Sequence, residues 1–214
     1  RLSLVGSEMC IRDRYCMNQL TDYIRVYENQ VDDDLCKTII DKFNSSEKMY
    51  VDREGRPTFH DLNLSKSPAW TEVKKQLEEA FDIAVDQYIE DVDCRHDFPQ
   101  RWMFEHVRMK MYEPNGRDQF KTHVDVGDHS SAVRFLVGFL YLNDVEEGGE
   151  TSFPKLNYAV KPKCGRIVLF PPTWQYRHAG LPPVSSRKYI VGTYLHYTMQ
   201  GMTQTIIPLS LIHI

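Results

Sequence analysis

Two histidines and one aspartate in the C-terminal half of the chain have the chemistry of metal ligands. His123 and Asp125 are two residues apart in THVDV, a predicted strand, so alternation places both side chains on one face. The chain holds eight histidines, so this pair alone is weak evidence. His178, in QYRHAG, lies in another predicted strand and supplies a third ligand if the two strands are neighbours. The pattern predicts a site of two imidazoles and one carboxylate.

This ligand set leaves coordination positions open for other molecules. Two histidines and one carboxylate on one side of a metal suit non-haem Fe(II). Zinc accepts the same ligands in catalytic sites, so these three residues alone do not identify the metal.

A lysine near the C-terminus points to a bound anion. Lys188 opens the apolar sequence KYIVGTYL, which predicts a buried strand. Burying an ammonium group without a partner is costly, so Lys188 needs an anion close by. A dicarboxylate cosubstrate bound to the same metal would supply it. Alternation along the strand directs the neighbouring Arg187 to the opposite face.

These residues require a scaffold that brings distant strands together. Acidic residues and apolar spacing predict a first helix over 32–43, and Ser67 followed by Pro68 predicts a second over 67–93. A loop is predicted over 52–66. The chain then changes to short β-type runs between turns, with strands predicted near 102–112, 120–126, 133–142, 157–161, 166–170, 175–179 and 188–197. Helices followed by many strands predict an α+β chain whose C-terminal half is a jelly roll.

The length and the ends of the chain indicate one domain. The 214 residues suit a single domain, which we place at 17–205. The sequences at 1–14 and 208–214 resemble translated sequencing-adapter sequence, and we expect both to be non-native tails.

Composition excludes several classes of protein. The chain is 42% hydrophobic and 26% charged, which argues against disorder, and its net charge of −4 argues against a nucleic-acid partner. No run approaches the roughly 18 apolar residues of a membrane helix. Five cysteines without a CxxC pair favour a reducing compartment, so the predicted location is cytoplasmic. The sequence leaves the oligomeric state open.

Four stretches between residues 101 and 197 carry a family resemblance. In order they are YEPNGRDQFKTHVD, YLNDVEEGGETSF, KPKCGRIVLF and HAGLPPVSSRKY. Together they resemble the prolyl 4-hydroxylase-like branch of the Fe(II)/2-oxoglutarate dioxygenases. The resemblance implies a double-stranded β-helix, also called a cupin-like jelly roll, supported by N-terminal helices. It also implies an enzyme that couples oxidative decarboxylation of 2-oxoglutarate to hydroxylation of a C–H bond.

The resemblance assigns roles to six residues. It implies that iron is held by His123, Asp125 and His178. It implies that Lys188 pairs with the distal carboxylate of 2-oxoglutarate, that Tyr112 hydrogen-bonds this cosubstrate, and that Thr151 lines its pocket. The implied cofactors are Fe(II), 2-oxoglutarate and O₂, with ascorbate as a further candidate.

Departures from the family pattern concern the rim of the pocket. Tyr194 stands where collagen-type members have a tryptophan six residues beyond the lysine. The loop between Tyr112 and His123 is slightly longer than in some members. Arg134, in VRFLV, either faces the substrate entrance or projects into solvent. These features bear on substrate identity more than on reaction type.

Other functions are left open by the sequence. The resemblance favours a prolyl residue in a peptide or protein as substrate, and a small molecule or free amino acid is the alternative. A non-catalytic cupin-like metal-binding module would have no use for a buried Lys188. A zinc-dependent hydrolase or lyase would need a general base beside the metal, and no obvious candidate is present.

Overall fold

A computed structural model describes residues 19–52 and 58–198. The predicted tails at 1–14 and 208–214 lie outside the described residues, as do both ends of the domain predicted at 17–205. No helix in the described parts of the chain is long and apolar enough to cross a membrane.

Two α-helices lie N-terminal to most of the strands, as predicted. Helix α1 spans Asp33–Asn44, and its N-cap Asp32 accepts a hydrogen bond of 2.8 Å from the Leu35 amide. Helix α2 spans Thr71–Asp91, directly after a 3₁₀ turn at Pro68–Trp70. Each helix buries an apolar stripe at helical spacing. Further 3₁₀ turns span Leu20–Tyr23, Leu64–Lys66, Pro154–Leu156 and Trp174–Tyr176.

The strands form two antiparallel sheets that face each other. The strands span Arg25–Tyr27 (β1), Met49–Asp52 (β2), Thr58–Asn63 (β3), Trp102–Phe104 (β4), Arg108–Tyr112 (β5), Phe120–His123 (β6), Arg134–Tyr141 (β7), Thr151–Phe153 (β8), Tyr158–Val160 (β9), Arg166–Phe170 (β10), His178–Gly180 (β11) and Lys188–Tyr197 (β12). The larger, eight-stranded sheet has the order β1-β10-β7-β12-β5-β3-β2, with β4 paired to β12, and the smaller has the order β6-β11-β8-β9. This confirms the predicted α+β jelly roll.

The larger sheet is buried on both faces. In β7, Leu136 and Leu140 join the cluster formed with the two helices, whereas Val137, Phe139 and Tyr141 join a second cluster on the side of the smaller sheet. This alternation follows from the two-residue period of a strand. The helices therefore cover one face of the larger sheet and leave the other to form a pocket with the smaller sheet.

The predicted loop over 52–66 is wrong for the residues described there. Strand β3 lies between β2 and β5 within the larger sheet. The apolar alternation expected of a strand is obscured in β3. Phe59 and Asp61 point to the pocket side, where Asp61 pairs with Arg108. Leu62 packs against the core on the helix side. A strand that presents a carboxylate to a pocket lacks the apolar alternation that sequence analysis detects.

Several strand boundaries also differ from the predictions. The run predicted at 102–112 is interrupted between β4 and β5, and the strand predicted at 175–179 begins only at His178. Strand β8 was not predicted. Strand β6 ends at His123, so Asp125 lies in the following loop rather than in the same strand.

Candidate metal and cosubstrate site

The three predicted metal ligands meet between the two sheets. Strands β6 and β11 are paired with His123 directly opposite His178. The loop after β6 then turns back, held by a hydrogen bond of 3.3 Å from the Asp125 amide to the Pro172 carbonyl. Asp125 Oδ1 lies 3.4 Å from His123 Nε2, and Asp125 Oδ2 lies 3.6 Å from His178 Nε2. One donor atom from each residue lies within 4.8 Å of the others.

Both imidazoles are oriented by main-chain carbonyls. His123 Nδ1 lies 2.8 Å from the Lys121 carbonyl oxygen, and His178 Nδ1 lies 3.0 Å from that of Tyr176. A carbonyl oxygen only accepts hydrogen bonds, so each Nδ1 carries the proton and each Nε2 keeps its lone pair for the centre of the site. Burial lowers the pKa of His178 to about 4, although Asp125 opposes the shift, and this keeps the ring neutral. Neutral imidazole is the form that binds metals.

Asp125 is a buried carboxylate that lacks one partner. Burial alone would raise its pKa, but the neighbouring imidazoles of His123 and His178 and the Tyr194 hydroxyl hold the pKa at about 2. Tyr194 donates a hydrogen bond of 2.7 Å to Oδ1, whereas the buried Oδ2 has no hydrogen-bond partner. An unsatisfied buried anion is costly, and a cation between the three side chains would satisfy it. The donor set therefore fits a divalent metal.

Lys188 lies in the same pocket as the three ligands and is only 1% exposed. Its Nζ donates to the carbonyls of Gly149 at 2.9 Å and Leu181 at 3.3 Å. It has no salt bridge within residues 19–52 and 58–198. Burial lowers the pKa of Lys188 to about 7, with Glu150 opposing and Lys110 adding to the shift. A bound carboxylate would supply the missing counter-charge.

Tyr112 and Thr151 line the pocket between the three ligands and Lys188. Tyr112 is opposite Lys188 in the pairing of β5 with β12, and the lysine Nζ lies 4.5 Å from the centre of its ring. Thr151 begins β8, and its Oγ1 is hydrogen-bonded to the Tyr141 hydroxyl at 2.7 Å. All six predicted site residues therefore line one pocket.

A polar network beside Asp125 includes Glu105, a residue that sequence analysis missed. The Arg134 guanidinium donates to both carboxylate oxygens of Glu105, at 2.7 and 2.8 Å, and to the Asp125 carbonyl at 2.9 Å. It also lies 3.9 Å from the centre of the Tyr194 ring. Arg134 thus lies at the pocket entrance rather than projecting into solvent. Its position in an apolar strand was the available sequence signal that an acidic partner such as Glu105 must exist.

Residues 107–196, which contain all six of these positions, match the 2OG-Fe(II) oxygenase superfamily. This segment is a 2OG-Fe(II) oxygenase domain. A domain of this kind is that of a 2-oxoglutarate-dependent non-haem iron dioxygenase, an enzyme that uses Fe(II), 2-oxoglutarate and O₂. No curated protein sequence matches the chain significantly.

Solved structures with the same fold include several prolyl hydroxylases. The viral collagen prolyl hydroxylase of Paramecium Bursaria Chlorella virus-1, in complex with 2OG, matches the oxygenase with a TM-score of 0.65 and 22% identity over 82% of this chain and 97% of that chain. A Pseudomonas putida prolyl-4-hydroxylase matches with a TM-score of 0.63 and 17% identity over 83% and 94% of the two chains. A Trichoplax adhaerens prolyl hydroxylase, in complex with a hypoxia inducible factor peptide fragment, matches with a TM-score of 0.64 and 17% identity over 90% and 94%. At these identities the likeness establishes the fold.

Proposed function

We propose that this oxygenase hydroxylates a prolyl residue of a peptide or protein. In this proposal iron is held by His123, Asp125 and His178, and Lys188 binds the distal carboxylate of 2-oxoglutarate. The observation that carries it is a buried lysine without an acidic partner among the described residues, in the same pocket as a carboxylate oxygen for which those residues provide no donor. The prolyl substrate is supported by the three solved prolyl hydroxylases that share the fold, one of them bound to a peptide.

The protein groups bind and orient the reactants. Bound Fe(II) supplies the oxidising chemistry, driven by decarboxylation of 2-oxoglutarate. The Lys188 ammonium and the Tyr112 hydroxyl fix the orientation of the cosubstrate, and Thr151 borders it. Apolar residues of the larger sheet, including Val137, line the same pocket and limit access of water.

The proposal is tested with a panel of single-proline peptides, incubated with the enzyme, Fe(II), 2-oxoglutarate and O₂. We expect one oxygen atom to be added at the proline, located by fragmentation in a mass spectrometer, with one succinate formed per product. Each peptide has a matched control in which alanine replaces proline. Hydroxylation of free amino acids or other small molecules, with no modified peptide, would contradict the prolyl assignment.

Tyr194→Phe should weaken metal binding while leaving the fold intact. The substitution removes the hydroxyl that donates to Asp125 Oδ1 and keeps the ring beside Arg134. Loss of a hydrogen bond to a ligating carboxylate typically costs about 10- to 100-fold in metal affinity. Anaerobic titration with Fe(II) against a competing chelator measures this. Tyr197→Phe, at an exposed position of the same strand, is the control and should match wild type; a Tyr194→Phe affinity equal to it would refute the positioning role.

The affinity for 2-oxoglutarate should fall as the pH rises above about 7. The pKa of Lys188 without a ligand is about 7, below its ordinary 10.5, because of burial. A dicarboxylate prefers the ammonium form, so binding above pH 7 must take up a proton, and the Kd should rise by up to about tenfold per pH unit. Below pH 7 the Kd should level off. Lys188→Arg, which stays charged throughout, should bind more weakly but without this slope; an equal slope in both proteins would exclude Lys188 as its source.

A further inference from the structure

A second lysine lines the pocket at its mouth. Lys110 lies on β5 between Arg108 and Tyr112, and alternation places the three side chains on one face of that strand. Lys110 borders both the inner pocket that contains Lys188 and the outer groove that leads to His123. Sequence analysis did not single it out, because a lysine within a short strand normally faces solvent.

The Lys110 ammonium lies beside two aromatic rings, close to the predicted metal ligands. Its Nζ lies 5.2 Å from the centre of the Phe59 ring and 5.1 Å from that of Phe120. The same Phe120 ring stacks on His123, with ring centres 3.7 Å apart. Lys110 and His123 are therefore both neighbours of the Phe120 ring.

The acidic residues that face Lys110 are already paired. Asp61 makes two hydrogen bonds with the Arg108 guanidinium, and Glu105 makes two with Arg134. Asp125 belongs to the metal site. Within the described parts of the chain, the Lys110 side chain has no salt bridge and no hydrogen bond.

The outer groove is positively charged although the chain carries a net charge of −4. Its lining includes four cationic and two acidic side chains, namely Arg108, Lys110, Lys121, Arg134, Asp61 and Glu105. The two arginines offset the two acids, which leaves the lysines without a counter-charge among the described residues. Such a groove favours a negatively charged partner, since complementary charge selects between ligands.

We propose that Lys110 binds a carboxylate of the prime substrate, so that the enzyme selects peptides with a glutamate or aspartate close to the residue it hydroxylates. The inference rests on the proposed peptide function and adds the chemistry that the peptide must carry. Lys188 serves the distal carboxylate of 2-oxoglutarate, and Lys110 lies nearer the mouth, where a substrate side chain enters. The Phe59 and Phe120 rings exclude water on two sides, and this strengthens a charge-assisted hydrogen bond at that point.

The test compares the binding of matched peptides to the enzyme loaded with Fe(II) and 2-oxoglutarate under nitrogen. The probes are fluorescent single-proline peptides with one glutamate, glutamine or lysine at each of the two positions on either side of the proline. We expect the best glutamate peptide to bind wild type about 10- to 100-fold more tightly than its glutamine counterpart, as for a hydrogen bond to a charged group. In Lys110→Met, which keeps the apolar stem beside the rings, this preference should vanish. Lys155→Met, at an exposed position, is the matched control and should retain it.

Three results would overturn the inference. These are equal binding of glutamate and glutamine peptides by wild type, a preference that survives in Lys110→Met, and a weakened affinity of Lys110→Met for 2-oxoglutarate. The last would assign Lys110 to the carboxylate beside the keto group of the cosubstrate. Binding is measured without turnover, so the two proposals can fail separately. Lys110-dependent selection without proline hydroxylation refutes only the prolyl assignment, whereas equal hydroxylation of glutamate and glutamine peptides refutes only the role of Lys110.

Discussion

Asp125→Ala and His123→Ala should each abolish iron retention while leaving the fold intact. Removing one of three ligands leaves a two-ligand site of little affinity, because no other carboxylate or imidazole of the described residues joins the cluster. The fold should survive because its core consists of the two apolar clusters on either side of the larger sheet. Bound-iron analysis after gel filtration and circular dichroism together measure both parts of this expectation.

His129→Ala is the matched control for these variants. His129 is exposed in the loop that follows Asp125, and it lies outside the ligand cluster. The His129→Ala variant should bind as much iron as wild type. If Asp125→Ala or His123→Ala kept stoichiometric iron and full activity, the ligand assignment would be wrong.

Lys188→Ala should raise the Kd for 2-oxoglutarate by roughly 30-fold to several thousand-fold. Truncating one member of a buried charge pair costs about 2–5 kcal/mol, because the remaining charge is left buried without its partner. Iron binding should be nearly unchanged, since Lys188 is not a member of the ligand cluster. Calorimetric titration of the iron-loaded protein with 2-oxoglutarate, under nitrogen, gives this affinity.

Two further variants, at positions 188 and 187, test whether the loss of 2-oxoglutarate affinity is specific to the Lys188 ammonium. Lys188→Arg should recover only part of the affinity, because a planar guanidinium does not replace a compact ammonium in a fitted pocket. Arg187→Ala should behave almost like wild type, since Arg187 is half exposed and pairs with Glu113 away from the pocket. The opposite pattern, in which Arg187→Ala weakens 2-oxoglutarate binding and Lys188→Ala does not, would contradict the assignment of Lys188 to the distal carboxylate.

The sequence was most informative where a segment is apolar and bounded by turns. Strands β10 and β12 have the predicted bounds, 166–170 and 188–197, because each is mostly buried and is preceded by a glycine or a charged residue. The ligand cluster could be predicted because metal chemistry restricts residue type as well as spacing. His178 needed no local signal beyond its place in a strand of the jelly roll.

The features that could not be predicted from the sequence depend on contacts between distant segments of the chain. Strand β3 could not be predicted because its pocket-facing side carries Asp61, whose partner Arg108 lies in another strand. Asp125 reaches the site from a loop, held by Pro172 and Arg134 rather than by strand alternation. Lys110 could not be recognised for the same reason, since only the two rings from β3 and β6 reveal that it faces the pocket.

The most direct test of the account is the metal dependence of succinate formation from 2-oxoglutarate. The purified protein is freed of metal and then assayed in air with Fe(II), with Zn(II) or with a chelator, and succinate is quantified by mass spectrometry. We predict succinate with Fe(II) alone, formed slowly without a peptide and faster with one, because zinc can occupy the same three ligands but cannot change its oxidation state. Equal succinate formation with Zn(II) or with the chelator would contradict the assignment of His123, Asp125 and His178 as the iron site of a 2-oxoglutarate dioxygenase.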